Sequence, residues 1–175
     1  MASLEKAMFF DPDDPRGSCV YVQFNPNTLD YSYGKRTHKK GGEDDRQTMD
    51  QQSPLDVTAQ ARLSMRLFFN TYASPTSYTD VREELLPLRG FLCRTEDKET
   101  VHAKSVMFAW GTLAYRGSMD SFAVTYQMFA ADGTPVRAEV RLSISGEDAQ
   151  LGKDAPARKT AEETLGEDLE WLFEE

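Results

Sequence analysis

Side chains that could do chemistry are few and widely separated in this sequence. The two histidines, His38 and His102, lie far apart, and neither has a neighbour at the spacing of a metal site. The two cysteines, Cys19 and Cys93, are too few for a disulfide framework and too distant in sequence for a C-x-x-C site. We therefore expect both cysteines to be reduced, small, buried residues, and we expect no bound metal.

Acidic residues cluster near the beginning of the chain, at Asp11, Asp13 and Asp14. They lack the spacing and the glycine of a calcium-binding EF-hand loop, so an exposed turn is expected. The sequence also contains no G-x-S-x-G nucleophile elbow, phosphate-binding glycine loop, dinucleotide fingerprint or H-E-x-x-H pair. These patterns predict no catalytic residue and no cofactor, and they favour a structural protein over an enzyme.

The charge and hydropathy of the chain narrow the range of partners. The 175 residues carry a formal net charge of -9, which argues against nucleic acid because phosphate binding requires a concentrated lysine and arginine surface. The apolar run at residues 7–10 is too short for a signal peptide, and no later stretch has transmembrane length. The sequence therefore predicts one cytosolic domain without membrane insertion.

The strongest secondary-structure pattern lies between residues 105 and 145. Apolar and polar residues alternate there in two runs, which is the period of a strand. Asp132-Gly133 separates the runs and supplies the positive φ angles of a tight turn. The stretch predicts a long antiparallel hairpin with one apolar and one polar face, with breaks upstream at Trp110-Gly111 and at Gly117.

Residues 57–71 are more ambiguous, because many of them are good helix formers. Their apolar and polar residues nevertheless alternate almost without exception. Since the pattern usually outweighs propensity, we predict one long strand here, with shorter strands at residues 19–24 and 29–33.

One helix is predicted to begin after residue 80. Asp80 is placed as its N-cap and Glu83 as a capping-box partner, and Val81, Leu85 and Leu88 share one face. A proline at position 87 should kink or shorten this helix, and a glycine at position 90 should end it.

Composition divides the rest of the chain into four parts. Residues 1–18 form an N-terminal arm whose prolines disfavour helix and central strand. A β domain spans residues 19–147, a linker spans residues 148–159, and an acidic amphipathic helix spans residues 160–175. That helix should be marginal alone in water, so it needs either the surface of its own domain or a groove on a partner. The residues of this helix that are predicted to contact that surface are Leu165, Leu169, Leu172 and Phe173.

A polar loop or arm is predicted at residues 34–54, where basic residues precede acidic ones. Connections this long are usually functional or disordered. One interpretation is a solvated flexible loop, and the other is an arm that orders against a neighbouring subunit. The candidate inter-subunit residues are Lys35, Arg36, Lys39, Lys40, Glu43, Asp44 and Asp45.

A family resemblance emerges from the order of several short motifs. They are Phe24-Asn25-Pro26, the run at residues 63–69 followed by Asp80-Val81-Arg82, Trp110-Gly111, the V-T-Y-x-x-F strand that begins at residue 124, and D-G-x-P-V-R-A at residues 132–138. Together these motifs resemble the tube-like domain of phage-tail-like contractile injection systems over roughly residues 19–147. In many relatives this domain is followed by a small LysM-type domain, for which the present chain is too short.

The resemblance implies a mainly β fold with one or two helices, in which two antiparallel sheets form a sandwich or half-barrel of the phage tail-tube type. Six subunits would then join sheet edge to sheet edge into a ring around a channel, which would satisfy the unpaired strand edges. The polar faces of the long strands become candidates for the lumen. These candidates are Arg62, Ser64, Arg66, Thr125, Gln127, Arg137, Glu139 and Arg141.

Within that family the chain is most similar to the short adaptor that joins the spike hub to the inner tube at the baseplate and initiates tube polymerisation. The partners that the resemblance implies are other copies of the chain, the hub and inner tube proteins, and baseplate or sheath components. Such a particle is assembled in the bacterial cytoplasm and then released or anchored. Two alternatives stay open, the shaft protein of the tube and, from another class, a small-ligand-binding β-barrel or enzyme.

Overall fold

The computed structural model describes residues 4–17, 19–37, 57–92, 94–97 and 100–160. The strands in chain order are β1 (Met8–Phe10), β2 (Cys19–Tyr21), β3 (Leu29–Thr37), β4 (Val57–Asn70), β5 (Tyr72–Ser74), β6 (Ser77–Tyr78), β7 (Arg94–Asp97), β8 (Thr100–Ala103), β9 (Ser105–Trp110), β10 (Leu113–Phe129) and β11 (Pro135–Asp148). The helix α1 (Val81–Arg89) follows β6, and a 3-10 turn (Gly90–Leu92) follows α1.

Seven strands form one antiparallel sheet in the order β2-β1-β9-β10-β11-β4-β3. β9 pairs with β10 only as far as Ser118, whereas β11 pairs with β10 as far as Phe129. The sheet therefore has two halves, β2-β1-β9 and β11-β4-β3, which are joined through β10. Tyr31 of β3 packs edge-on against Tyr115 of β10 at 5.9 Å between ring centroids, so the two halves curl towards each other. The predicted mainly β fold is confirmed, and the edge strands β2 and β3 have no further partner among the described strands.

The long hairpin and the long strand predicted from alternation are both confirmed. β10 and β11 pair over their length, and the turn between them contains Gly133 at a φ of 87°. β4 spans Val57–Asn70 despite its helix-forming residues. Strand pairing explains why β4 is not a helix. β4 lies between β11 and β3, and in this register every second side chain of β4 faces the core.

The predicted helix is also confirmed. Asp80 is the N-cap, and its carboxylate accepts a hydrogen bond from the Arg82 backbone N–H at 2.9 Å. Val81, Leu85 and Leu88 are buried against the sheet. Pro87 lies inside the helix, which ends at Arg89 with Gly90 as its C-cap.

The main core fills the space between the two halves of the sheet and α1. It contains Phe9 and Phe108, whose ring centroids are 5.1 Å apart, and the apolar residues of β4 and β11. A second apolar cluster lies on the other face of β1 and β9 and includes Met8, Phe10 and Met107. β1 is therefore buried on both faces.

Three expectations about chain organisation need correction. Met8–Phe10, predicted to lie in a polar arm at 1–18, forms β1 between β2 and β9. The strand predicted at 29–33 continues to Thr37, so the first residues assigned to the polar loop at 34–54 lie in β3. Gly117, predicted to break a strand, lies within β10.

The segment 149–160, here called the strap, also differs from the predicted linker at 148–159. Ala149, Leu151 and Ala155 pack against the second cluster. The Tyr21 hydroxyl donates to the Ala157 carbonyl at 2.5 Å. Near its end the strap runs beside the N-terminal segment, because the Lys6 N–H donates to the Lys159 carbonyl at 2.9 Å. The strap is therefore part of the folded domain, because its apolar residues cover a sheet face that would otherwise meet water.

The turn predicted at Asp11, Asp13 and Asp14 is confirmed. The Asp11 carboxylate accepts from the Asp13 N–H at 2.9 Å, and the Asp13 carboxylate accepts from Arg116 at 2.9 Å. Cys19 is a free thiol, as expected, but it is half-buried, and burial raises its pKa. Cys93 and the predicted docking residues Leu165, Leu169, Leu172 and Phe173 lie outside the described residues.

Candidate functional site

All eight residues predicted to line a lumen lie on one face of the sheet half formed by β10, β11, β4 and β3. We call this surface the polar face. Its assignment follows from the register, because residues directly opposite each other on neighbouring strands share a face. Arg66 lies opposite Arg141, and Thr125 lies opposite Glu139. The intervening residues Leu67 and Val140 are fully buried on the other side.

One end of the polar face carries a network centred on Asp120. The register of β10 against β11 shifts between Met119 and Ser121, which leaves Asp120 as an extra residue in a bulge. The Ser145 hydroxyl donates to the Asp120 carboxylate, and the Arg62 guanidinium lies 3.4 Å from the same oxygen. Asp120 was not predicted as a site residue, because sequence alternation does not reveal where a bulge falls.

The centre of the polar face carries further charges that are paired within the subunit. The Arg141 guanidinium donates to the Glu139 carboxylate at 2.9 Å, and Gln127 donates to its other oxygen at 3.4 Å. Arg137 donates to the side-chain oxygen of Asn70 at 3.4 Å. A mixed, hydrated surface of this kind offers neither a large apolar patch nor a field of one sign.

The same sheet half has two strand edges without a partner among the described strands. One edge is β3, which is nine residues long. The other edge is the part of β10 beyond Ser118, which β9 no longer covers. At about 3.3 Å per residue, the β3 edge is roughly 30 Å long and the β10 edge is roughly 36 Å long. Each neighbouring pair in β10-β11-β4-β3 is antiparallel, so the two free edges run in opposite directions.

β3 and β4 continue as a two-stranded ribbon beyond the last position at which β4 pairs with β11. Residues 34–37 pair with residues 57–60, whereas the pairing of β4 with β11 ends at Ala61. The backbone of Lys35 and Arg36 lies in this ribbon. The other candidate inter-subunit residues, Lys39, Lys40, Glu43, Asp44 and Asp45, lie outside the described residues. The ribbon therefore carries the backbone of Lys35 and Arg36 past the last position at which β4 pairs with β11.

The opposite end of the long hairpin exposes apolar side chains that were not among the predicted site residues. Phe129, the last residue of β10, is 56% exposed, and Tyr126 is 38% exposed. The turn beside them is fixed by Asp132, whose carboxylate accepts from the Thr134 N–H at 3.0 Å. That hydrogen bond is the main reason that the pKa of Asp132 lies below its ordinary value. The apolar and polar alternation of β10 continues past the end of the core. This continuation was the sequence signal that could have identified Tyr126 and Phe129 as exposed apolar residues.

A groove of about 960 Å³ lies outside the sheet, between the outer edge of β2, the β5–β6 hairpin and α1. Its lining mixes apolar residues such as Val20 and Tyr72 with polar ones such as Gln23. The Gln23 amide is already engaged, because it donates to the Asn70 carbonyl at 2.8 Å and accepts from the Asn70 N–H at 2.6 Å. The groove therefore does not resemble the enclosed apolar pocket with converging polar groups that a small-ligand-binding barrel requires.

The part of the chain that the structure describes shows neither a metal site nor a membrane-spanning helix. No group of three or more histidine, cysteine, aspartate or glutamate residues there is arranged to hold a metal ion. His102 lies in β8, and His38 lies outside the described residues. No helix among the described residues is long and apolar enough to span a bilayer.

Comparison with family models gives a match over most of the chain. Residues 3–155 match the family model described as "Contractile injection system tube protein". Among solved structures, the chain is similar to a chain of "Tail of empty GTA particle computed with helical refinement, C6 symmetry", at 13% sequence identity and a TM-score of 0.37, covering 86% of this chain and 96% of that chain. A comparison with curated proteins gives no match. The family assignment therefore depends on the family match alone.

Proposed function

This chain belongs to the contractile injection system tube protein family, and from that premise we propose that it forms a six-membered ring that joins the spike hub to the inner tube and initiates tube polymerisation. Its partners are other copies of itself, the hub protein, the inner tube protein, and baseplate or sheath components. The role is mechanical and not enzymatic, and it is carried out in a particle that is assembled in the bacterial cytoplasm.

The observation that carries this proposal is the pair of free edges on the sheet half β10-β11-β4-β3. Because they run in opposite directions, β3 of one copy can continue the antiparallel order by pairing with β10 of the next copy. Such a head-to-tail contact is heterologous, and it closes into a ring when the rotation between copies is suitable. Closure removes the unpaired edges, which would otherwise be a route to aggregation.

We propose that ring closure places the polar face on the inner wall of the ring. The residues Arg62, Ser64, Arg66, Thr125, Gln127, Arg137, Glu139 and Arg141 then line the channel. The apolar face is already used by the core and α1, so it is the polar face that is available to the lumen. A hydrated wall with internally paired charges lets a cargo pass without strong adhesion.

The ribbon and the hairpin tip give the ring two different ends. The ribbon carries Lys35 and Arg36 away from one end, and the other end presents the exposed apolar residues Tyr126 and Phe129. An adaptor must contact different proteins on its two sides, and a chemically asymmetric ring fits that requirement. We propose that the arm at residues 34–54 packs against a neighbouring subunit.

The experiment is electron microscopy of the purified chain, alone and co-expressed with the hub and tube proteins from its operon. We expect single six-fold rings that bind the hub and seed tubes of the tube protein. Filaments made of this chain alone would assign it to the tube shaft. A persistent monomer that binds neither protein at high concentration would contradict a ring of any kind.

The edge contact can be tested separately by disulfide trapping. In a variant with both native cysteines changed to serine, Ser32→Cys on β3 is combined in turn with Ser121→Cys, Ala123→Cys or Thr125→Cys on β10. These residues lie on the polar face at the two free edges. We expect one of the three pairs to give a covalent ladder that stops at six subunits.

The matched control combines Ser32→Cys with Thr134→Cys, which lies in the turn and not along the edge. This pair should remain monomeric under the same oxidation. A ladder in the control and not in the edge variants would show that collision, and not strand pairing, produces the crosslinks.

A further inference from the structure

The edge of β2 is a third free edge of the main sheet among the described strands. It lies in the half of the sheet that the proposed ring does not use, and it forms one wall of the groove described above. An open groove beside an open strand edge is a place where a second polypeptide can add. An uncovered edge strand is a route to unwanted pairing between copies, so covering this edge is an advantage to any subunit.

The chain itself leads to the groove. The strap ends beside the N-terminal segment, where Glu5 and Thr160 form an antiparallel bridge. Lys159 lies among the residues that line the groove, and its ammonium lies 5.1 Å from the centre of the Tyr21 ring. Residues 161–175, here called the tail, therefore begin at the rim of the groove.

The composition of the tail matches this surface. It contains seven acidic residues and no basic residue, together with apolar residues at 165, 169 and 171–173. The end of the strap supplies Arg158 and Lys159, and Lys6 lies close by with its ammonium donating to the Gln23 carbonyl. The tail can thus place apolar residues on Val20 and Tyr72 while its carboxylates lie towards Lys159.

We propose that the tail packs into the groove of its own subunit and covers the β2 edge. The occupant is the chain's own C-terminal segment, because the strap delivers it to the groove with no connecting length to span. The inference goes beyond the proposed function and does not depend on ring formation. It also implies that the edges of β3 and β10 are the ones left for other copies.

Hydrogen exchange of the isolated subunit tests this proposal. Removal of residues 161–175 should accelerate amide exchange in residues 19–23 and 72–79 by about tenfold. Burial of one leucine side chain shifts a local opening equilibrium by at least about this factor. Exchange at β11 and at residues 57–67 of β4, which do not line the groove, should not change. A variant with Leu169→Glu and Leu172→Glu should reproduce the effect of the deletion.

The matched control is Glu163→Gln with Glu167→Gln, which keeps the apolar residues of the tail and should retain slow exchange. No difference between the full chain and the truncated chain would overturn the proposal. Protection that depends on protein concentration would overturn it too, because the tail would then occupy the groove of another copy. Ring formation is tested by electron microscopy and packing of the tail by hydrogen exchange. Failure of one proposal therefore leaves the other intact.

Discussion

At the scale of single residues, the junction between the two sheet halves depends on two glycines. Gly117 of β10 lies opposite Gly146 of β11, at the point where β9 and β4 also meet these strands. A Cβ atom on Gly117 would overlap the Ser145 carbonyl, and one on Gly146 would overlap the Arg116 carbonyl. Close approach of the two backbones is therefore the reason for glycine at both positions.

Gly146→Ala should lower the free energy of unfolding by about 1–3 kcal/mol, because the backbone of β10 must shift to admit the methyl group. Urea unfolding followed by circular dichroism measures the change. Gly34→Ala is the matched control, since a Cβ there would meet no atom within 4 Å. Equal stability of the Gly146 variant and the wild type would contradict the close contact.

The residues of the polar face show how far the sequence alone can go. Period-two alternation was enough to place Arg62, Arg66 and Arg141 on one surface, because alternate side chains of a strand point the same way. Whether that surface faces a lumen stays a prediction. The sequence did not reveal the network around Asp120, because a bulge moves residues across the face without a change in local composition.

At the scale of elements, the beginning of α1 is held by one side chain. The Asp80 carboxylate caps the helix and also accepts from the Arg82 guanidinium, with Nε and Oδ2 at 2.8 Å. The hydrogen bond from the Arg82 side chain is the largest cause of the lowered pKa of Asp80. α1 in turn packs Val81, Leu85 and Leu88 into the core, so the cap stabilises more than its own turn.

Asp80→Ala should lower the free energy of unfolding by about 1 kcal/mol at neutral pH, the usual cost of a lost N-cap. A carboxyl group whose pKa is lowered by folding stabilises the protein above its ordinary pKa, and this contribution is lost as the pH falls through the folded value. The difference between the wild type and the variant should therefore shrink below about pH 4. Urea unfolding over a range of pH measures it.

Asp80→Asn is the control for charge, since asparagine caps a helix as well as aspartate does. It should cost less than Asp80→Ala at neutral pH, and its stability should vary less with pH than that of the wild type. A difference between Asp80→Ala and the wild type that is constant down to acid pH would contradict the proposed role of the carboxylate.

The elements that the sequence predicted well are those with long patterns. The hairpin β10–β11 and the strand β4 each show sustained alternation, and Asp132-Gly133 fixes the turn. β1 was missed because it has only three residues, all apolar, between prolines and charges. Alternation is absent there because both faces of β1 are covered, Phe9 by the main core and Met8 by the second cluster.

At the scale of the whole molecule, the two ends of the described chain are tied together. The strap covers the second cluster, and Arg158 lies 3.2 Å from the Glu5 carboxylate at its end. The sequence suggested a linker because glycine, proline and charged residues dominate the strap. Only the fold shows that Leu151 has an apolar surface to cover, since that surface is assembled from β1, β9 and β10.

Truncation after Asp148 should lower the free energy of unfolding by about 2 kcal/mol more than truncation after Thr160 does, because Leu151 is lost and Phe10 and Met107 become exposed to water. Truncation after Thr160 is the control, and it should cost clearly less because the strap is retained. Both are compared by urea unfolding midpoints. Equal stability of the two truncated chains would mean that the strap contributes nothing to the fold.

The position of β1 has a consequence for how the polypeptide is made. β1 pairs with β9, whose first residue is Ser105, so the apolar triplet Met8–Phe10 leaves the ribosome long before its central partner is synthesised. Contacts that are so distant in sequence form late and leave apolar segments exposed in the interim. Slower translation should therefore lower the fraction of this protein that is recovered in soluble form. A chaperone that shields the nascent N-terminus should raise that fraction.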